Sequence, residues 1–549
     1  MAAQCATLVD LLRLRAREQP EQPAYIFLPD HGEQSLTLTY GALDQRARSV
    51  AARLQAAGAL RERVLLLLPP GLEYVVGFFG CLYAGAIAVP AYPILSRRRR
   101  DRLEAIAADA DAGFALAVAS TVRRLDEFTD LPGCRALRVL SYDACVGHDA
   151  SEWRSPWLDG AALAFLQYTS GSTASPRGVM ISHANLMYNE GMIARAMGHS
   201  ARTSLVSWLP PHHDMGLIGG LLQPFYVGSC CIFMSPTAFL RRPARWLETI
   251  AQYRAHTSGA PDFAYRLCVE RTSPEQRARL DLRHWKVAFT GSEPVREDTL
   301  DRFARAFEPC GFRRQAFFPC YGLAEATLVV SAACAGVEPA ICRGPELPSQ
   351  GRAASWVSCG RALPDMDVAI VDPERLTPQN FGQVGEIWVK GPGVALGYWN
   401  RREATERTFR AYLGETGAGP FLRTGDLGFF RDGQLFITGR LKDLMIFRGI
   451  NHHPQDIEWT VASSHACVRQ DHTAAFSIQL DGEERLIVVT EVERTVESDE
   501  LAEIVSAIRE AVAAEHGIPV HAVAILQWGS LPKTSSGKVQ RQICRERFL

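Results

Sequence analysis

Apolar and polar positions along this chain follow two rhythms, one of short unbroken apolar runs and one at helical spacing. Leu8, Leu11 and Leu12 recur at helical spacing behind Thr7, which predicts a capped helix ending near Pro20. Residues 24–28 and 36–40, on either side of Asp-His-Gly at 30–32, predict two strands and a turn. Leu43, Ala47, Val50, Ala51 and Leu54 mark an amphipathic helix that ends at Gly58. Runs at 64–68, 87–89, 114–118 and 136–140 read as strands, with a helix near 102–110. This βαβα order predicts an α/β fold whose large N-terminal domain is built of layered, mostly parallel sheets with helices. After Glu325 the pattern loosens; residues 335–355 are rich in Gly, Pro and Arg and carry no period, and strand character returns at 384–389 and 435–438. Past Gly439 the units become shorter and α+β: strand 444–447, helix 456–461, strands near Ala474 and Leu486, helix 500–514. The expected division is therefore 1–439 and a small C-terminal domain at 440–549.

One apolar stretch needs a test against a membrane span. Residues 74–96 carry no charge, and Arg97, Arg98, Arg99 and Arg100 follow at once, which is the hydropathy and flank of a candidate span. A strand at 64–68, a buried helix stopped by Gly85 and a strand at 87–89 account for the same letters as a β–helix–β unit. The expectation is no integral membrane span, with the arginines as a solvated helix start.

Composition narrows the class. A length of 549 residues exceeds what one core fills and implies two or more domains. The net charge of −1 gives no reason to expect nucleic acid as a partner. The 14 cysteines are scattered, with no C-x-x-C pair, and Arg13, Arg15 and Arg17 interrupt the N-terminal region where a signal peptide would need an apolar core. Reduced thiols in the cytoplasm are expected.

The chemistry begins at residues 168–178, Tyr-Thr-Ser-Gly-Ser-Thr-Ala-Ser-Pro-Arg-Gly, between apolar runs at 161–166 and 179–181, with Ser182 placed to cap a following helix. Such a loop offers backbone N–H groups and hydroxyls to an anion, although the same letters suit a polar surface loop. It lacks the spacing of a Walker A motif. Further motifs follow: Trp-Leu-Pro-Pro-His-His-Asp-Met-Gly at 208–216, Gly-Ser-Glu-Pro at 291–294, Tyr-Gly-Leu-Ala-Glu at 321–325, Thr-Gly-Asp-Leu at 424–427, Gly-Arg-Leu-Lys-Asp at 439–443 and Pro-Lys-Thr-Ser-Ser-Gly-Lys at 532–538. Taken alone, His212-His213-Asp214 could suggest a metal site. Adjacent residues rarely point at one metal, and no third ligand is spaced nearby.

In this order the motifs resemble those of the adenylate-forming superfamily: acyl-CoA synthetases, luciferases, peptide-synthetase adenylation domains and fatty acyl-AMP ligases. The resemblance covers nearly the whole chain. It implies attack of a carboxylate on the α-phosphorus of ATP, release of pyrophosphate, and transfer of the acyl group to a thiol. It further implies that Thr169, Ser170, Gly171, Ser172 and Thr173 bind the β- and γ-phosphates, with Arg177 where many relatives carry Lys. Glu325 matches a Mg2+-binding glutamate. Tyr321, with Gly322 beside it, matches the adenine or α-phosphate position, and Gly291, Ser292 and Glu293 the adenine-side turn. Asp426 resembles the ribose-binding carboxylate and Arg440 the arginine that assists it. His213 lies where the mouth of the acyl pocket is expected and joins Glu325 and Lys538 as a candidate catalytic residue. Lys538 resembles the lysine that spans carboxylate and α-phosphate, and Lys442 the hinge about which a mobile lid rotates.

Within the superfamily, residues 89–93, 211–217, 291–294, 358–360 and 448–458 resemble fatty acyl-AMP ligases, as does the extra length between Glu325 and Gly360. That resemblance implies a fatty acid substrate and an acyl carrier protein, supplied by another chain, as acceptor. A fatty acyl-CoA synthetase, an amino-acid-activating domain and a silent acyl- or nucleotide-binding protein remain alternatives. Leu222, Phe225, Phe239 and Trp246 suit either core or pocket lining.

Overall fold

The computed structural model describes residues 4–30, 34–91, 97–126, 137–168, 176–344, 355–447, 450–480, 483–494, 496–497, 500–534 and 537–549. Among them, strands build two large sheets that share one core. In the nine-stranded sheet, Phe317–Gly322, Val287–Thr290, Thr257–Gly259, Leu205–Ser207, Cys231–Met234 and Pro23–Leu28 run parallel in that spatial order. Antiparallel strands close its edges, Leu36–Thr39 on one side and Val329–Ala332 with Arg361–Ala362 on the other. The six-stranded sheet is ordered Arg138–Ser141, Phe114–Ala117, Arg63–Leu67, Ile87–Pro90, Leu163–Tyr168, Gly178–Ser182, parallel except for the last pair. Strands buried on both faces read as continuous apolar runs rather than alternations, which made those of the six-stranded sheet legible; Leu205–Ser207, Cys231–Met234, Thr257–Gly259 and Phe317–Gly322 were not read from the sequence.

The uncharged stretch is the helix Leu72–Ala84, 13 residues long and buried along nearly its whole length. At 1.5 Å per residue it covers about 20 Å, well short of the roughly 30 Å hydrocarbon core. Gly85 ends it at φ 70°. Gly80 lets it approach the helix Tyr40–Ala56, since a Cβ there would meet Val50 Cγ1 at 2.4 Å. Among the described residues no helix is long and apolar enough to cross a membrane.

A third sheet differs from the parallel expectation. Asp367–Val371, Gly385–Lys390, Leu422–Arg431 and Gln434–Arg440 are antiparallel throughout. Its last hairpin turns on Asp432 and Gly433, at φ 53° and 73°, the two left-handed positions of a tight I′ turn. The aperiodic region contributes a hairpin, Ile341–Arg343 with Ser355–Val357, anchored by Trp356 edge-on to Phe429 at 5.7 Å and by Arg343 to Glu297 at 2.5 Å; its residues 345–354 lie outside those described.

Residues beyond 444 pack around cores of their own. Met445, Ile457, Val461, Leu486, Val488, Ile504, Ile508 and Val512 form one cluster beneath the helices Pro454–Ser464 and Glu500–His516. The sheet there pairs Val468–Leu480 with Glu483–Val492, and adds Val520–Leu526 parallel to the latter. That last strand and the terminal helix Arg541–Phe548 are absent from the sequence reading. Phe225, Phe239 and Trp246 are fully buried and Leu222 is 1% exposed, all within the main core.

Candidate active site

A cavity of about 3010 Å³ opens where the large sheets meet the residues beyond 440. Arg177, His213, Ser292, Glu293, Tyr321 and Gly322 line it from one side. Glu325, Asp426, Arg440, Lys442 and Lys538 line it as well. Gly291 sits behind the wall. A Cβ there would come within 2.6 Å of the Cys320 carbonyl, so the turn can pack this closely only with glycine. Thr169, Ser170, Gly171, Ser172 and Thr173 lie outside the described residues. Their flanks are set: the Tyr168 hydroxyl donates to Asp109 at 2.9 Å, and the Arg177 guanidinium lies 5.4 Å from the Tyr398 ring centre.

One end of the cavity is built around Asp426, 8% exposed. Its Oδ2 accepts the Tyr321 hydroxyl at 2.9 Å, and its Oδ1 faces Arg440 Nε at 3.1 Å. The loop that carries it is held from behind. Gly425, at φ 69°, donates its N–H to Glu386 at 3.1 Å, while Thr424 Oγ1 donates to the Ile387 carbonyl and accepts the Asp426 N–H. Glu386 is 2% exposed, and Arg423 at 2.7 Å neutralises it. Across the cavity, Gly322 permits the tight return to the next strand, since a Cβ would lie 1.6 Å from the Leu328 carbonyl.

Glu325 follows on a short turn. Its Oε1 accepts the Tyr398 hydroxyl at 2.8 Å, and its own carbonyl accepts the Ala395 N–H at 2.9 Å. Burial raises its carboxyl above the ordinary range, with Asp214 adding to the rise and the Tyr398 hydrogen bond opposing it. The residues 208–216 are pinned by their backbone: the Pro211 carbonyl accepts the Tyr74 hydroxyl at 2.8 Å, and the His212 carbonyl accepts Gln167 Nε2 at 3.0 Å. Gly216 packs where a Cβ would lie 2.1 Å from the Pro210 carbonyl. Asp214 caps the π-helix Met215–Leu222 by accepting the Met215 N–H at 2.7 Å; such helices concentrate at functional sites. Burial, with Lys538 and Arg102 nearby, pushes the His213 imidazole down to about 3, so it is neutral near pH 7.

Lys538 comes from a narrow loop in which the Thr534 N–H donates to the Lys538 carbonyl at 2.7 Å and the Lys538 N–H to Thr534 Oγ1 at 3.1 Å. Burial, then Arg440, holds its ammonium below the ordinary lysine range, while Glu293, Asp214 and Asp426 oppose that shift. These partners span most of the cavity. The loop's base is tied down by Arg541, bidentate to Glu458 at 2.6 and 2.7 Å and 3.2 Å from Asp443.

The sequence reading missed Tyr398 and Glu386, which position Glu325 and the Asp426 loop. Tyr398 sits in a stretch without period, where Gly397 at φ 133° before two aromatic residues is the available signal.

A cavity between two cores, with carboxylate-centred clusters and a lysine delivered from the C-terminal side, is the arrangement of an adenylate-forming enzyme. Residues 12–399 match the family described as AMP-binding enzyme, and residues 442–549 match the AMP domain of Disco-interacting protein 2-like proteins. The chain belongs to the AMP-binding enzyme family, and within it stands with the fatty acyl-AMP ligases. It is 46% identical to the medium-chain-fatty-acid–[acyl-carrier-protein] ligase JamA of Moorena producens, across 99% of this chain and 95% of that protein. A fatty acyl-adenylate ligase of Legionella pneumophila, solved in complex with acyl adenylate and pyrophosphate, is 41% identical with a TM-score of 0.77, covering 100% of this chain and 97% of that one. The structural work on fatty acyl-adenylate ligases from E. coli and L. pneumophila supplies another, 31% identical with a TM-score of 0.89, covering 100% and 98%.

Proposed function

We propose that this chain joins a fatty acid to ATP as an acyl-adenylate, releases pyrophosphate, and passes the acyl group to the phosphopantetheine thiol of an acyl carrier protein. The difficulty of the first step is that one anion attacks another, so the protein must offset charge and hold the groups in line. Asp426, with Tyr321 and Arg440 fixing it, accepts hydrogen bonds from the ribose hydroxyls. Gly291, Ser292, Glu293 and Gly322 bound the adenine. Thr169, Ser170, Gly171, Ser172 and Thr173, with Arg177, take the terminal phosphates. Glu325 would hold Mg2+, because a hard cation needs oxygen ligands and takes few from protein; when bound, the ion would neutralise phosphate charge. His213, neutral, bounds the mouth of the acyl pocket and keeps a second full charge away from the carboxylate. Lys538 lies between the substrate carboxylate and the α-phosphate, and its ammonium stabilises the charge that develops there. Two units, 1–439 and 440–549, with Lys442 at the joint, account for the separate cores on either side of the cavity.

The observation that carries this reading is the loop at Lys538, which brings an ammonium to the cavity that holds Asp426 and Glu325. The test is mass spectrometry of products from ATP, Mg2+ and a mixture of fatty acids, first alone, then with holo carrier protein or with coenzyme A. Acyl-adenylate alone, and acyl carrier protein in preference to acyl-coenzyme A, is expected. Preferential acyl-coenzyme A formation overturns the acceptor, and absence of any adenylate overturns the whole reading.

A further inference from the structure

One ledge on the rim of the cavity, next to the adenine-side turn, touches the residues beyond 440. It consists of the start of the helix Asp262–Arg271 and the turn that ends at Arg296. The ledge is internally rigid: Asp262 accepts the Arg296 N–H at 3.0 Å and the Thr299 hydroxyl at 2.7 Å, and Glu293 accepts the Phe263 N–H at 2.8 Å. From it, Arg296 donates to the Gln455 carbonyl at 3.2 Å and lies with its guanidinium 4.6 Å from the Trp459 ring centre. Both partners belong to the helix Pro454–Ser464. Nearby, Arg266, 6% exposed, forms an ion pair with Asp471, and Phe263 faces Gly537, next to Lys538. The helix Pro454–Ser464 is in turn tied to the Lys538 loop by Arg541 on Glu458.

We propose that Arg296 is a positioning residue for adenylation: by clamping Gln455 and Trp459 it holds the 440–549 unit in the one orientation that delivers Lys538 to the cavity. The inference rests on the role given above to Lys538. Contacts made in only one arrangement of two units shift the population toward that arrangement, and a cation over tryptophan plus one charge-assisted hydrogen bond suffices for a shift on the order of tenfold. The guanidinium of Arg296, at the cavity rim, is directed to Gln455 and Trp459, so its removal should lower the occupancy of the closed arrangement without altering the second step.

The test measures the two half-reactions separately in the full chain. Arg296→Ala should reduce fatty-acid-dependent pyrophosphate exchange on the order of tenfold, mainly in kcat, while transfer from synthetic acyl-adenylate to carrier protein is unchanged or faster. Arg296→Lys, which keeps a cation over the ring, should recover part of the loss. Trp459→Ala approaches the contact from the other side, and the double variant should lose little more than either single one. Equal losses in both half-reactions, multiplicative losses in the double variant, or undiminished exchange in Arg296→Ala overturns the clamp. No exchange in the unmodified protein overturns the role of Lys538 and the clamp with it.

Discussion

Replacing Lys538 with alanine removes an ammonium that the narrow loop at 533–539 brings to the cavity. Two unit charges 4 Å apart interact by about 4 kcal/mol at an effective dielectric of 20. Lys538 is half-buried and Arg440 remains nearby, so part of that stabilisation survives; a loss of about 3–4 kcal/mol is expected. At 1.36 kcal/mol per tenfold, adenylate formation should fall by on the order of 10²–10³. The assay is fatty-acid-dependent exchange of labelled pyrophosphate into ATP, with circular dichroism to confirm folding. Transfer from synthetic acyl-adenylate should survive, because that step has no pair of repelling anions to neutralise. Since burial holds the ammonium below the usual lysine range, exchange by the unmodified protein should decline as pH rises through that depressed value, earlier than an ordinary lysine would allow. Near-normal exchange in Lys538→Ala would falsify the assignment.

Three further outcomes follow from the geometry. Asp426→Asn weakens the pairing with Arg440 and the acceptor proposed for the ribose, so the KM for ATP should rise about 10–100-fold with a smaller change in kcat; steady-state kinetics at varied ATP decides it. Gly322→Ala places a methyl against the Leu328 carbonyl at 1.6 Å, and a thermal midpoint several degrees lower, with loss of about 2 kcal/mol or more, should appear by circular dichroism. Glu190 is fully buried and burial raises its carboxyl well above the usual range, so it stays protonated when folded but ionises when unfolded. Its unfavourable contribution therefore begins above the unfolded pKa and grows with pH until the folded group ionises; Glu190→Gln should raise the melting temperature more at pH 8 than at pH 5. An equal shift at both values would show that the carboxyl is already ionised in the folded protein.

Much of the architecture was readable because buried parallel strands write themselves as apolar runs, and because residues such as Gly216, Gly291 and Gly322 are fixed by backbone contacts that exclude a Cβ. The positions of Asp426, Glu325 and Lys538 were likewise legible, because each lies in a short motif. Their supports were not. Tyr398 reaches Glu325 across 73 positions and Glu386 reaches Arg423 across 37, distances at which no period operates. Of the antiparallel sheet, the strands at 384–389 and 435–438 were legible, but their partners Asp367–Val371 and Leu422–Arg431 and the antiparallel pairing were not. Its Asp432–Gly433 turn carries a hairpin signal, but the strand Leu422–Arg431 begins with polar residues that line the cavity, which breaks the alternation.

The joint explains why these supports matter. A polyanionic nucleotide and a fatty carboxylate enter a cavity already lined by Asp214, Glu293, Glu325 and Asp426. Arg177 and Arg440 belong to the wall, whereas Lys538 belongs to a separately packed core. Its delivery thus depends on how the two cores meet, and the substrates' charge favours the arrangement that brings it in. Arg296, on the ledge beside Glu293, adds a contact to that arrangement through Gln455 and Trp459. Catalytic charge and mechanical closure therefore reside in different residues. Weakening the ledge should slow adenylation by lowering the closed population, while changing Lys538 should slow it within the closed state. Raised viscosity should separate the two, with the rate of an Arg296 variant responding to it and that of a Lys538 variant remaining limited by chemistry.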